Sequence, residues 1–190
     1  MFFGEPFGGL VPGAQGAALE VLLRTDAPLT GRQIHGLLRS QHSLWSVQQA
    51  LRTLTQLGLV EIQTVGRANI HSINEDHAAV GPLRSLLDPV ATLRSTVAET
   101  VDDDVRSVVV FGSIARGRAH RDSDVDLAVI ASNQWDGRLG LEEAVHKRLG
   151  NNCDVVVFTP EQFQEAAMRG EPLVTDLCSE GIVVHGERLA

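Results

Sequence analysis

The stretch Phe111-Gly112-Ser113-Ile114-Ala115-Arg116-Gly117-Arg118-Ala119-His120-Arg121-Asp122-Ser123-Asp124-Val125-Asp126-Leu127 decides how this chain reads. Its lead-in, Arg106–Phe111, is a β-branched run that predicts a buried strand. That strand runs straight into Gly112-Ser113, and Ile114–Gly117 begins a short helix. Ser123–Ile130 predicts a second strand with Asp124 and Asp126 at its start. Side chains two apart on a strand share a face, so the two carboxylates converge while Val125 and Leu127 point into the core. Carboxylates on one face repel unless a cation sits between them. Cys153 and Cys178 show no zinc-type spacing, so the expected cation is Mg²⁺ or Mn²⁺. Gly112 lets the backbone approach a ligand closely, and the free N–H groups of a helix start suit a phosphate, as does the Ser113 hydroxyl. A carboxylate-held cation beside a phosphate seat supplies the parts for phosphoryl or nucleotidyl transfer.

Gly-Ser, ten intervening residues (114–123) and Asp-x-Asp together resemble the signature of the polymerase-β-like nucleotidyltransferase superfamily. The Ser-x-Ala-Arg-Gly and Ser-Asp-x-Asp-Leu details are most similar to its minimal members, which often act as antitoxins. The resemblance implies a third carboxylate on a later strand. Asp154, in Cys153–Phe158 after a helix over Leu139–Leu149, matches that position. It would act as general base or complete the metal site. The implied catalytic and metal-binding set is therefore Asp124, Asp126 and Asp154, with Gly112, Ser113 and Arg116 on the nucleotide. Arg116, Arg118 and Arg121 lie between turn and carboxylates, as triphosphate clamps or as solvated loop cations. The resemblance continues through Thr159-Pro160-Glu161, an N-cap with Pro at N1, to a closing strand in Glu180–Gly186. It implies transfer from an NTP, with ATP expected, to an acceptor hydroxyl. In antitoxin-type members the acceptor is a partner toxin of helical type.

The first third of the chain is of another kind. Residues 1–13 are rich in Gly, Pro and Phe and read as an irregular arm. Ala14–Arg24 predicts a buried helix, broken at Asp26-Ala27-Pro28. Thr30-Gly31-Arg32-Gln33 is a capping box opening a helix whose apolar face is Ile34, Leu37 and Leu38. Ser43 or Ser46 caps a third helix, with Val47, Ala50, Leu51, Leu54 and Leu57 inward and Gly58 ending it. Leu59–Val65, a turn at Gly66–Asn69 and Ile70–Ile73 predict a hairpin. Three helices and a hairpin over 14–75 resemble the winged helix-turn-helix regulators. That resemblance puts the third helix in the major groove of double-stranded DNA, with Ser46, Gln48, Gln49 and Arg52 facing it and Arg67 at the wing tip. Charge agrees with it. The 190-residue chain carries a net −8, yet residues 30–71 hold four arginines against Glu61 alone, a local +3.

Between the two parts, Leu83, Leu86, Val90, Leu93, Val97 and Val101 recur at helical spacing, with Pro89 expected to kink or split the helix. The stripe reads as core packing or as the seam of a homodimer. The fold class expected is α+β / α/β: a winged helix-turn-helix domain over 1–81, a connecting helix over 82–104 and a small mixed-sheet nucleotidyltransferase domain over 105–190. The sequence lacks an apolar run of membrane-span length and a secretory pattern at its start, so no membrane and a cytoplasmic location are expected. The functional expectation is a DNA-binding nucleotidyltransferase that adenylylates a partner protein and autoregulates its operon. The alternative is a transcriptional regulator whose transferase-like part senses nucleotide, or dimerises, without catalysis. An antibiotic-modifying transferase is a further reading, and the short chain leaves it little room for a substrate domain.

Overall fold

Apolar residues at helical spacing build the first of two compact units, Pro6–Asp88, in this computed structural model, which describes every residue except 2, 26, 39, 40, 121, 189 and 190. Helix α1 (Gly13–Thr25) buries Ala18, Leu19 and Leu22. A two-residue strand, β1 (Leu29–Thr30), leads into α2 (Gly31–Leu37), and α3 (Leu44–Gln56) follows. The expected capping box forms: the Gln33 amide donates to Thr30 Oγ1 at 3.3 Å and the Thr30 amide donates to Gln33 Oε1 at 2.8 Å. Ser43, rather than Ser46, caps α3, accepting from the Ser46 amide at 3.1 Å. β2 (Val60–Val65) and β3 (Ala68–Ile73) form the hairpin, and β1 joins it to give the antiparallel order β1-β3-β2. Ile34, Val47, Leu51 and Leu54 make the centre of the core.

Three expectations change here. The arm contains a 3₁₀ turn, Pro6–Gly9, whose Phe7 is 1% exposed in the core. Leu37 and Leu57, assigned to apolar faces, are about half exposed, because the helical phase already turns Ile34, Leu38 and Leu54 inward and α2 and α3 end at that point. β1 carries too few residues to show a period. The expected break at Asp26-Ala27-Pro28 follows the end of α1 at Thr25. Asp26 itself lies outside the described residues, as does Arg121, predicted as a clamp.

The connecting segment is split at Pro89, one of the two expected outcomes, into α4 (Val80–Ser85) and α5 (Pro89–Thr100). Proline lacks an N–H and is tolerated in the first helical turn, so Pro89 starts the second helix and splits the segment rather than kinking it. The apolar stripe divides with it. Leu83 and Leu86 pack on the first core, and Leu93 and Val97 are fully buried in the second. The division between the two compact units falls at Asp88/Pro89, inside the segment 82–104, and Met1–Glu5 groups with the second unit.

That unit, Met1–Glu5 with Pro89–Ala190, continues with β4 (Val105–Phe111), α6 (Gly112–Ala115), β5 (Val125–Ala131), α7 (Arg138–Leu149) and β6 (Cys153–Phe158). It closes with α8 (Pro160–Met168), α9 (Pro172–Glu180) and β7 (Ile182–Gly186). Among the described residues the strand order is β6-β5-β4-β7, with β5 and β6 parallel and the other pairs antiparallel. The central strands are apolar on both faces because both are covered. Val108, Val110, Leu127 and Val155 face α5 and α7, while Val109, Ala128 and Ile130 face α8 and α9. No helix among the described residues is long and apolar enough to cross a membrane.

Leu127 is fully buried at the centre of this sheet. Leu127→Ala is expected to lower unfolding free energy by about 2–5 kcal/mol. A urea titration that leaves the midpoint in place would refute the packing described.

Candidate functional site

The alternation that buries Val125 and Leu127 turns Asp126 toward the α8–α9 side of the sheet. Asp126 is half-buried and lies in register with Asp154 on β6 and with Phe111 on β4. Asp124, two residues earlier and just outside β5, is exposed, as is Asp154. Burial pushes the Asp126 carboxyl above its ordinary 3.8, and the Asp154 and Asp124 charges push it further, against a smaller pull from Arg116. Among the described residues these carboxylates take part in no hydrogen bond or ion pair.

Gly112 has φ +69°, and a Cβ there would stand 2.0 Å from Asp126 Oδ2. The freedom of this glycine therefore admits a carboxylate of the same chain, where the sequence suggested only a close approach of ligand. Ser113, half-buried, follows at once on α6, and its carbonyl accepts from the Arg118 amide at 2.9 Å. Gly112, Ser113, Asp126 and Asp154 are thus gathered at one end of three neighbouring strands.

The turn before β5 is held by residues the sequence did not single out. Ser123 is buried; its Oγ accepts from the His120 amide at 2.9 Å, and its amide donates to the His120 carbonyl at 3.0 Å. Asn151 Nδ2 donates to the Ser123 carbonyl at 3.2 Å, tying the approach to Asp124 to the segment that leads into β6. A serine one place before the Asp-x-Asp was the only signal for this turn.

Arg116 is engaged in ion pairs, the second of its two expected roles. Its Nη1 lies 3.7 Å from Asp176 Oδ2 and 3.6 Å from Glu180 Oε2, two carboxylates one helical turn apart on α9. Helix α9 was not anticipated, although Pro172 at its start and buried Val174 and Leu177 mark it. Arg118 is exposed. Cys153 packs on the opposite face of the sheet; burial first, then Glu142, Asp154 and Asp126, pushes its thiol up to about 12. It stays protonated near neutral pH.

Among the described residues no three His, Cys, Asp or Glu side chains are placed to hold a metal ion. The donor chemistry of the Asp124, Asp126 and Asp154 set nevertheless suits a hard divalent cation: oxygen donors only, mutual repulsion and, among the described residues, no bonded counter-charge. A cavity of about 240 Å³ elsewhere in this unit, lined by Arg106, Phe163, Gln164 and Arg188, shares no residue with the cluster.

In the first unit, Gln48, Arg52 and Arg67 line one groove of about 610 Å³ between α3 and the hairpin. Ser46 and Gln49 lie outside it: Ser46 Oγ is 2.8 Å from Ser43 Oγ, and Gln49 Oε1 accepts from Arg52 Nη1 at 3.2 Å.

Residues 95–176 match the family described as polymerase beta, nucleotidyltransferase, a stretch that contains Gly112, Ser113 and all three aspartates. This segment is a polymerase-β-type nucleotidyltransferase domain. A comparison with curated proteins finds no match. Among solved structures, the chain is similar to a toxin–antitoxin complex with AMP-PNP, at 22% identity and TM-score 0.40 over 52% of this chain and 74% of the other. It is similar to a complex of tri-AMPylated Shewanella oneidensis HEPN toxin with MNT antitoxin, at 17% identity and TM-score 0.35 over 52% and 73%. A HOP2 structure concerned with DNA recognition and protein interaction domains aligns at 28% identity and TM-score 0.31, over 33% of this chain and all of that one. These likenesses are partial and low.

Two outcomes follow from the transferase domain's geometry. Asp126→Asn removes a carboxyl whose folded-state value is raised, so its contribution to stability is full below 3.8 and is lost as pH rises through the folded value. The variant is expected to be more stable than the parent near neutral pH, the gain vanishing as pH falls toward 3.8; a pH-independent difference in urea midpoint would contradict this. Gly112→Ala meets both a strained φ and the Asp126 carboxylate, and is expected to cost about 1–3 kcal/mol. An unchanged melting temperature would remove that contact from the argument.

Proposed function

We propose that this chain transfers a nucleotidyl group from an NTP, with ATP the expected donor, to an acceptor hydroxyl. The observation that carries the reading is the gathering of Asp126, Asp154 and the Gly112-Ser113 turn within the polymerase-β-type segment. Asp124, Asp126 and Asp154 would hold Mg²⁺ or Mn²⁺, which when bound neutralises phosphate charge and polarises the α-phosphoryl group. Gly112 and Ser113 bind the phosphates through backbone N–H and hydroxyl. Asp154, exposed beside Asp126, accepts the proton of the acceptor hydroxyl as its oxygen attacks the α-phosphorus. The bond from that phosphorus to the bridging oxygen breaks, and pyrophosphate leaves. Arg116 reaches the phosphates by leaving Asp176 and Glu180, an exposed ion pair of about 0–1 kcal/mol.

The acceptor in this reading is a partner protein, as the antitoxin-like signature suggests, and the first unit is a winged helix that binds double-stranded DNA and regulates the operon. The exposed face of α3, with Gln48 and Arg52, and Arg67 on the hairpin turn support it. A second reading, a nucleotide-sensing regulator without turnover, is favoured by the engagement of Arg116 with α9.

Incubation with α-labelled ATP and Mg²⁺ in the lysate of the source cell is expected to label an acceptor, and Asp124→Asn with Asp126→Asn to lower that labelling by at least about 10³-fold. Nucleotide binding without label transfer would decide for the second reading. Arg52→Ala with Arg67→Ala is expected to weaken retardation of the upstream duplex and reduce its salt dependence by about two charges; unaltered retardation would refute the placement of DNA.

A further inference from the structure

The first unit holds a concentration of positive charge that its fold does not use. Arg32, Arg52 and Arg67 converge on the 610 Å³ groove, and no Asp or Glu lines it. Arg32 and Arg67 make no hydrogen bond or ion pair with any described residue; Arg52 has only the amide oxygen of Gln49. Three arginines lining one groove without a carboxylate give it a positive potential that an anionic ligand would neutralise.

A second observation points to the same place. His71 lies on β3, the central strand of its sheet, between Leu29 and Ile62 in register. It forms part of the floor of the groove, is 8% exposed, and its Nδ1 is buried with no hydrogen-bond partner. Burial also holds the imidazole below its ordinary pKa, so it stands neutral with one nitrogen as donor. An apolar side chain would fill this position at less cost. A histidine in this lining is accounted for by a polar ligand group that bonds the ring once the groove is occupied.

The shape and lining narrow the class of ligand. The volume falls in the range of small-molecule sites. Three cationic forks match several phosphate groups rather than one. Leu51 and Ile62 add an apolar wall that inorganic phosphate does not need and a sugar or base would. We propose that this groove binds a small polyphosphorylated ligand of the nucleotide class through Arg32, Arg52 and Arg67, with His71 at its base. The site is separate from the carboxylate cluster and needs no divalent cation. It does not rest on the transferase reading, and it shares Arg52 and Arg67 with the DNA reading, which it makes competitive with ligand.

The test is calorimetric titration of the full chain with ATP in EDTA, with the His71 imidazole followed by ¹⁵N NMR. Binding is expected with a shift of the His71 resonances. Arg32→Ala and Arg67→Ala are each expected to weaken it by about tenfold. Asp124→Asn with Asp126→Asn is expected to leave it in place, since those residues belong to the other site. Absence of ATP binding in EDTA, survival of full affinity in Arg32→Ala/Arg67→Ala, or loss in the aspartate variant would each overturn the proposal. Retardation of a duplex on the same variants separates the two readings: if Arg32→Ala abolishes duplex binding while ATP never binds, the groove is a seat for the DNA backbone and the ligand site is refuted. If ATP binds as expected and displaces no duplex, the ligand site stands and the DNA placement fails.

Discussion

Like charges held side by side repel, and the parallel pairing of β5 with β6 places Asp126 beside Asp154 with no freedom to separate at the backbone. The rest of the transferase unit is arranged around that unfavourable contact. Gly112 gives up its side chain so that the Asp126 carboxylate has room, and the sheet beneath supplies the burial that holds the strands in register. The raised carboxyl at Asp126 is the energetic trace of this arrangement. In the function proposed above, a divalent cation would relieve this repulsion at the open strand end.

The support of the site comes from buried polar groups rather than from the carboxylates' own bonds. Ser123 and Asn151 fix the turn before Asp124 from two separate segments, so the position of that aspartate depends on β6 being in place. Arg116 depends on α9 in turn, through Asp176 and Glu180. In the proposed function, phosphate oxygens would compete with these two carboxylates for one guanidinium.

The helix–hairpin unit solves the opposite electrostatic problem. There the arginines gather without acids, and a histidine without a partner lies beneath them. Among the described residues, one chain therefore carries an acidic cluster in one unit and a basic groove without acids in the other. The net charge of −8 conceals this division, because a sum over the chain says nothing about where charges meet.

Local signals were enough for much of the chain. The Thr30–Gln33 capping box, the helix under Val47, Leu51 and Leu54, the hairpin, and the strands flanking Gly112-Ser113 and Asp124-x-Asp126 all follow from propensity and period over a few residues. The spacing of Gly-Ser to Asp-x-Asp identified the chemistry for the same reason: its parts lie within one strand–turn–strand. Only the tertiary structure decided the pairing of Asp126 with Asp154, the docking of Arg116 on α9, the buried floor at His71 and the division of the apolar stripe at Pro89 between two cores. Each of these joins residues far apart in the chain or assigns a helix to one of two neighbours. Such choices are made by which surfaces bury one another, and no short stretch of sequence contains both partners.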